Sequence, residues 1–228
     1  MQRRRKRLRA EHKKTMGKVA LITGNDTGVG KTHVAASLAR VLVRQGSVRY
    51  VKVVETGVID AADSDTHLLK DSVESAVVLR SYRAQLAPVA AAACEGKEVS
   101  LNEIVFEAQE ARGSAWTIME GAGGVAVPVD ASGADWRDFA IALQVDAVVL
   151  VVENRLGAIN QMRLLEAYCS EIPMPCGFWL NEVCPQGAEI VRTNEEALAL
   201  AKIPTWATQR HAAEPKWMDL SWAGKVDP

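Results

Sequence analysis

No C-x-x-C pair and no histidine cluster at zinc spacing occurs in the chain. Its four cysteines (Cys94, Cys169, Cys176, Cys184) and four histidines (His12, His33, His67, His211) are scattered, which argues against a thiolate metal site and against a Cys/His nucleophile. No run reaches the roughly 18 apolar residues a membrane span needs, and the start lacks the apolar core of a secretory signal. Neither membrane spanning nor export is expected, and the expected compartment is the cytoplasm. Internal repeats and low-complexity linkers are also missing. Charge of one sign is not in excess, with 27 Lys and Arg against 28 Asp and Glu, but it is unevenly spread. Eight basic residues (Arg3, Arg4, Arg5, Lys6, Arg7, Arg9, Lys13, Lys14) fall within residues 1–15 beside one acid, Glu11. The remainder is therefore acidic and would repel nucleic acid. Residues 1–15 read as a solvated, disordered extension, or as chain upstream of a true start at Met16. A nucleic-acid partner is not expected.

What the chain does have is the composition of a soluble globular protein: 228 residues, 48% hydrophobic and 24% charged, enough for one substantial domain over 16–228. Lys18 to Thr23 is a short β-branched apolar run of the kind buried on both faces of a parallel sheet. Thr32 to Arg44 carries Val34, Ala35, Leu38, Val41 and Leu42 at helical spacing, with Gly46 as a stop. Further strands are expected at Val48 to Val54, Ala115 to Met119, Ala147 to Val152 and Cys176 to Leu180, and a helix from about Ser100 to Arg112. Strands alternating with helices predict an α/β fold, a doubly wound and mostly parallel sheet with helices on both faces.

The strongest local signal is Gly24-Asn25-Asp26-Thr27-Gly28-Val29-Gly30-Lys31-Thr32, between the first strand and the first helix. Glycines allow backbone N–H groups to turn inward around phosphate oxygens, and the helix N-terminus adds its positive dipole end. Lys31 can reach the β and γ phosphates and the Thr32 hydroxyl can bind Mg²⁺. The strict G-x-x-x-x-G-K-[ST] spacing is not met, because Asn25 stands where the first glycine belongs; asparagine also tolerates a left-handed turn.

Such a loop indicates a nucleoside triphosphate and no particular reaction. Lys52, near the end of the second strand and before Thr56-Gly57, either points at phosphates or a substrate anion, as ligands in open α/β sheets do, or is solvated. In Asp63-Ser64-Asp65-Thr66-His67 the carboxylates either approach Mg²⁺ or cap a helix. Glu120 ends the third of these strands and opens Glu120-Gly121-Ala122-Gly123-Gly124, where glycines permit close backbone approach. Thr32, Asp65 and Glu120 would form a hard-cation set of oxygen ligands, with Glu153 competing with Glu120. The six tryptophans read as packing residues.

Taken together with Val127-Pro128-Val129, Leu156-Gly157-Ala158-Ile159-Asn160 and Asn181, these segments closely resemble dethiobiotin synthetase, in order, over about residues 18 to 206. The E-G-A-G-G and L-G-x-I-N runs are more specific than the phosphate loop. The resemblance implies an ATP- and Mg²⁺-dependent cyclo-ligase of biotin biosynthesis, which closes the ureido ring of dethiobiotin from 7,8-diaminononanoate and CO₂ through a carbamate and a carbamic-phosphoric anhydride. It implies catalytic roles for Lys31, Lys52 and Thr56, and Mg²⁺ on Thr32, Asp65 and Glu120. Nucleotide contacts would come from Asn25 to Thr32, Glu120, Gly121 and Gly123, with Asn181 on the adenine edge and Pro204 beside it. It also implies a homodimer in which Gly157, Ala158, Ile159 and Asn160 receive the substrate carboxylate across the interface, with Lys52 and Thr56 on the reacting end. The chain departs from the family where Gly28 replaces an acid, Val53 a proline, Val89 a histidine and Glu182 an aspartate. Two alternatives accompany this reading: a regulatory or partitioning ATPase acting through a protein partner, and a non-catalytic relative of the synthetase. Against the first, Asp26 stands where that class carries its signature lysine, and Ala212 to Pro228 lacks the periodicity of a membrane helix.

Overall fold

A computed structural model describes residues 17–224 apart from 61, 63 and 114; the basic extension, Met16 and Asp63 lie outside the described residues. In chain order the elements are β1 (Lys18–Gly24), α1 (Lys31–Leu42), β2 (Val48–Thr56), a 3-10 turn (Asp65–Leu68), β3 (Ser75–Tyr82), α2 (Pro88–Cys94), α3 (Leu101–Glu110) and β4 (Trp116–Glu120). These are followed by α4 (Trp136–Leu143), β5 (Ala147–Glu153), α5 (Ala158–Tyr168), β6 (Cys176–Asn181), α6 (Ala188–Ala201), β7 (Thr205–Gln209), β8 (Pro215–Trp217) and a second 3-10 turn (Ser221–Ala223). The strands form one eight-stranded sheet in the order β3-β2-β4-β1-β5-β6-β7-β8. All pairings are parallel except that of β7 with β8.

The continuous apolar runs that suggested strands buried on both faces are so: β1 exposes only Lys18 and β5 only part of Glu153. Two apolar layers result. On one face Val34, Ala35, Leu38 and Leu42 of α1 meet Ala20, Ile22, Tyr50 and Ile118. On the other, Ile104 of α3, Phe139 of α4, Met162 of α5 and Leu198 of α6 cover Leu21, Val53, Met119 and Leu150. The fold is therefore the doubly wound α/β type.

At the amino ends of the strands the packing is aromatic. Trp222 of the second 3-10 turn stacks on Trp206 with centroids 4.9 Å apart, and meets Trp116 edge-on at 5.9 Å. At the carboxyl ends the sheet is polar and glycine-rich. There β1 lies between β4 and β5, the point where successive connections leave in opposite directions and where α/β sheets open a crevice.

Candidate functional site

The loop after β1 curls around the start of α1. Gly28 and Gly30 take φ of +77° and +87°, a left-handed geometry that glycine adopts without strain. Lys31 folds back so that its Nζ donates to the Asp26 carbonyl at 2.7 Å. The Asn181 amide, buried behind the loop, donates to the Val29 carbonyl at 2.9 Å. Asn25 Nδ2 donates to Gln161 Oε1 of α5 at 2.6 Å. Gly124 follows β4 and comes so close that an added Cβ would stand 2.8 Å from the Asn25 carbonyl oxygen. Both glycine segments are thus needed for the two turns to approach each other.

Beside this loop the strand register assembles a polar cluster. Lys52 of β2 is paired directly with Glu120 of β4, so both side chains emerge on the face covered by α1. Lys52 Nζ donates to Glu120 Oε1 and also pairs with Asp65 Oδ2, each at 2.5 Å. Thr32 Oγ1 reaches the same Glu120 Oε1 at 3.1 Å. Tyr50, two residues before Lys52 and so on the same face, donates its hydroxyl to Glu120 Oε2 at 2.8 Å. Glu55 Oε1 accepts from the Asp65 amide at 2.7 Å and anchors the 3-10 turn that carries Asp65. A pocket of about 290 Å³ opens over this cluster, lined by Lys31, Thr32, Lys52, Thr56, Asp65 and Glu120 together with Thr27, Gly28, Gly123 and neighbours.

Burial weakens the Lys31 ammonium, lowering its pKa to about 8 although Glu120 pulls the other way. Burial acts on Lys52 in the same sense, but Glu120 and Asp65 outweigh it and hold that ammonium above the ordinary lysine value. Desolvation, reinforced by Glu120, pushes the Tyr50 phenol well up, so it remains a donor. The site therefore holds two buried cations and hard oxygen donors in one wall.

Position bears on several of the sequence alternatives. Lys52 is buried, not solvated. Ser64 does the capping of the 3-10 turn, accepting from Thr66 N, which leaves the Asp65 carboxylate to the ion pair with Lys52. Glu120 lines the pocket, whereas Glu153 pairs with Arg155 at 3.2 Å beyond β5. Gly157 has φ +91° and opens α5 at Ala158, outside this pocket. One expectation is corrected. Pro204 is not beside Asn181: its carbonyl accepts from Phe178 N at 2.8 Å at the amino edge of β6 and β7. Asn181 is paired instead with Gln209. Because β7 runs parallel to β6, the residue preceding β7 must lie at the opposite end of the sheet from the residue ending β6. Tyr50 and Glu55 were missed by sequence reasoning. Strand alternation carries the signal for Tyr50, which shares parity with Lys52; Glu55 contacts Asp65 only through tertiary folding.

Residues 18–203 match the family model described as an AAA domain. The chain is 37% identical over 207 residues to the ATP-dependent dethiobiotin synthetase of Mycobacterium avium, covering 86% of this chain and 91% of the relative. It is 32% identical over 192 residues to the enzyme of the same name from Bacillus subtilis, covering 78% and 80%. The chain belongs to the dethiobiotin synthetase family. As a dethiobiotin synthetase family member it is an ATP-dependent ligase. Among solved structures it resembles chloroplast FtsY from Physcomitrella patens, with a TM-score of 0.55 and 17% identity, covering 91% of this chain and 63% of that one. It also resembles the signal recognition particle 54 kDa protein from Aeropyrum pernix, with a TM-score of 0.55 and 16% identity, covering 89% and 44%. This chain spans less than two thirds of either structure, and the likeness is one of fold.

Proposed function

We propose that the pocket uses ATP to close the ureido ring of dethiobiotin from 7,8-diaminononanoate and CO₂, in a homodimeric cytoplasmic enzyme with a single domain over 16–228. The observation that carries the reading is the Lys52 ammonium, buried between Glu120 and Asp65 beside the phosphate loop and Thr56. A phosphate loop alone serves any NTPase. A second buried cation at the same pocket supplies what a carbamate nucleophile needs on its way to the γ-phosphate.

In this reading one substrate amine adds to CO₂ and gives a carbamate. A carbamate oxygen attacks the γ-phosphorus of ATP, the bond to the β–γ bridging oxygen breaks, and ADP leaves. The second amine attacks the carbonyl carbon of the resulting anhydride, expels inorganic phosphate and closes the ring. The loop amides from Asn25 to Thr32 cradle the phosphates, and Lys31 stabilises negative charge as it spreads over the transferring group. Phosphates beside Lys31 would restore the proton affinity that burial removes. Lys52 neutralises the carbamate and γ-phosphate oxygens, which otherwise repel each other, and Thr56 hydrogen-bonds to the reacting amine. Gly121 and Gly123 bring backbone close to the nucleotide, and Asn181 reads the adenine edge.

Thr32, Asp65 and Glu120 suit Mg²⁺: one hydroxyl and two carboxylates are hard donors lining one pocket, too few to complete its coordination without waters or phosphates. That is the donor set of an ion held jointly by a protein and substrate phosphates. Mg²⁺ bound there would neutralise charge on the phosphate oxygens. Gly157 to Asn160 would offer the N–H groups at the start of α5 to the substrate carboxylate across a dimer interface. The exposure of Leu156 and Leu164 on and beside α5, 79% and 64%, supports a partner surface there. The test is incubation with MgATP, ¹³C-bicarbonate and 7,8-diaminononanoate, followed by mass spectrometry. Dethiobiotin carrying one ¹³C is expected; ATP consumed without labelled ring product would favour a regulatory ATPase.

A further inference from the structure

Tyr50 is a buried polar group that the reaction above does not use. Its ring sits in the apolar layer with Leu38, Ile118 and Val48, and its residue is fully buried. Its hydroxyl donates to Glu120 Oε2 at 2.8 Å, while Lys52 and Thr32 both donate to Oε1, at 2.5 and 3.1 Å. The two oxygens of one carboxylate therefore have separate duties. One is tied back into the sheet and the other is presented to the pocket. The terminal torsion of a glutamate is broad and roughly two-fold, so a carboxylate held only from the pocket side could turn away from its partners. The tie from behind removes that freedom. It also gives the buried phenol its acceptor.

We infer that Tyr50 is a positioning residue that locks the Glu120 carboxylate so that Oε1 faces Thr32, Lys52 and the divalent cation. This rests on the metal role proposed for Glu120. Hydrogen bonds that orient a ligating group from behind typically contribute 10- to 100-fold in metal affinity.

The test is direct Mn²⁺ binding, read by electron paramagnetic resonance in the presence of a non-hydrolysable ATP analogue, with thermal melting as a check on folding. Tyr50→Phe removes the hydroxyl and keeps the ring. Its Mn²⁺ Kd is expected to rise about tenfold, with the KM for the diamine unchanged. Tyr50→Met, a second variant lacking the hydroxyl, is expected to show the same loss if the Phe variant melts early. Glu120→Gln is expected to weaken Mn²⁺ further, and adding Tyr50→Phe to Glu120→Gln to change nothing more, because the tyrosine acts only through the carboxylate. Wild-type Mn²⁺ affinity in Tyr50→Phe, or the same tenfold loss repeated on the Glu120→Gln background, would overturn the inference while leaving the metal role of Glu120 standing. Unchanged Mn²⁺ binding in Glu120→Gln itself would overturn that role, and this inference with it.

Discussion

At Gly30 the backbone turns with φ +87°, and an added Cβ would run into the Asn181 amide that supports the Val29 carbonyl. Gly30→Ala combines left-handed strain with a clash that only a shift of the loop relieves. It is expected to cost about 1–3 kcal/mol of stability and to raise the Kd for ATP, as urea unfolding and nucleotide titration would record. Lys31→Ala removes a charge from the transferring phosphate, and with it the hydrogen bond to the Asp26 carbonyl. We expect kcat to fall by about 10²–10³ or more, and residual activity within a few fold of wild type would remove Lys31 from the mechanism. The glycine-rich turn between β1 and α1 was legible from its residues and its place between a strand and a helix, although the strict spacing is not met. The Lys52–Glu120 pair was legible only in part: both residues were expected at strand ends, but their contact depends on β4 lying between β2 and β1. That strand order is a tertiary fact, with 68 residues separating the partners. Tyr50 shares strand parity with Lys52, and only its contact with Glu120 was hidden for the same reason.

The strands β1, β2, β5 and β6 each extend past the apolar run that announced them, to Gly24, Thr56, Glu153 and Asn181. Backbone pairing continues one or two residues after the side chains turn polar, and those extra residues face the crevice. Three further elements were not foreseen. β3 is a half-buried edge strand ending in Arg80, Ser81 and Tyr82, α2 spans only Pro88–Cys94, and β7 is the polar but buried Thr205–Gln209. Beyond β6, Glu182 fastens the loops. Its carboxylate is buried, which would raise its pKa, but hydrogen bonds from Gln186 N at 2.6 Å, His211 N at 3.0 Å and Arg210 Nε at 2.6 Å outweigh burial and lower it. A carboxyl group held below its unfolded value of about 4.3 adds stability above that pH and loses it as pH falls through the folded value. Glu182→Gln should therefore reduce stability at neutral pH by about 1–3 kcal/mol and flatten the loss of stability below about pH 4. Equal pH slopes for the two proteins in urea unfolding would contradict this.

Across the whole molecule the two ends of the sheet are chemically distinct. The amino end is closed by tryptophans, with Trp222 against Trp206 and Trp116. Among the described residues the indole nitrogens of Trp179 and Trp222 are buried without a hydrogen-bond partner, so these two rings contribute through packing. Trp222→Ala is expected to lower stability by about 1–3 kcal/mol, a fall in Tm of roughly 2–4 °C per kcal/mol, with kcat unchanged because the pocket lies at the carboxyl end. A fall in kcat matching the loss of the site variants would mean that the two ends are coupled. The carboxyl end carries the central claim, a triphosphate and a diamine processed in one pocket under two buried lysines. The measurement that tests it most directly is inorganic phosphate release from MgATP and bicarbonate with and without 7,8-diaminononanoate. Release that requires the diamine, matched by dethiobiotin formed, is the predicted result; release at the same rate without the diamine would contradict it.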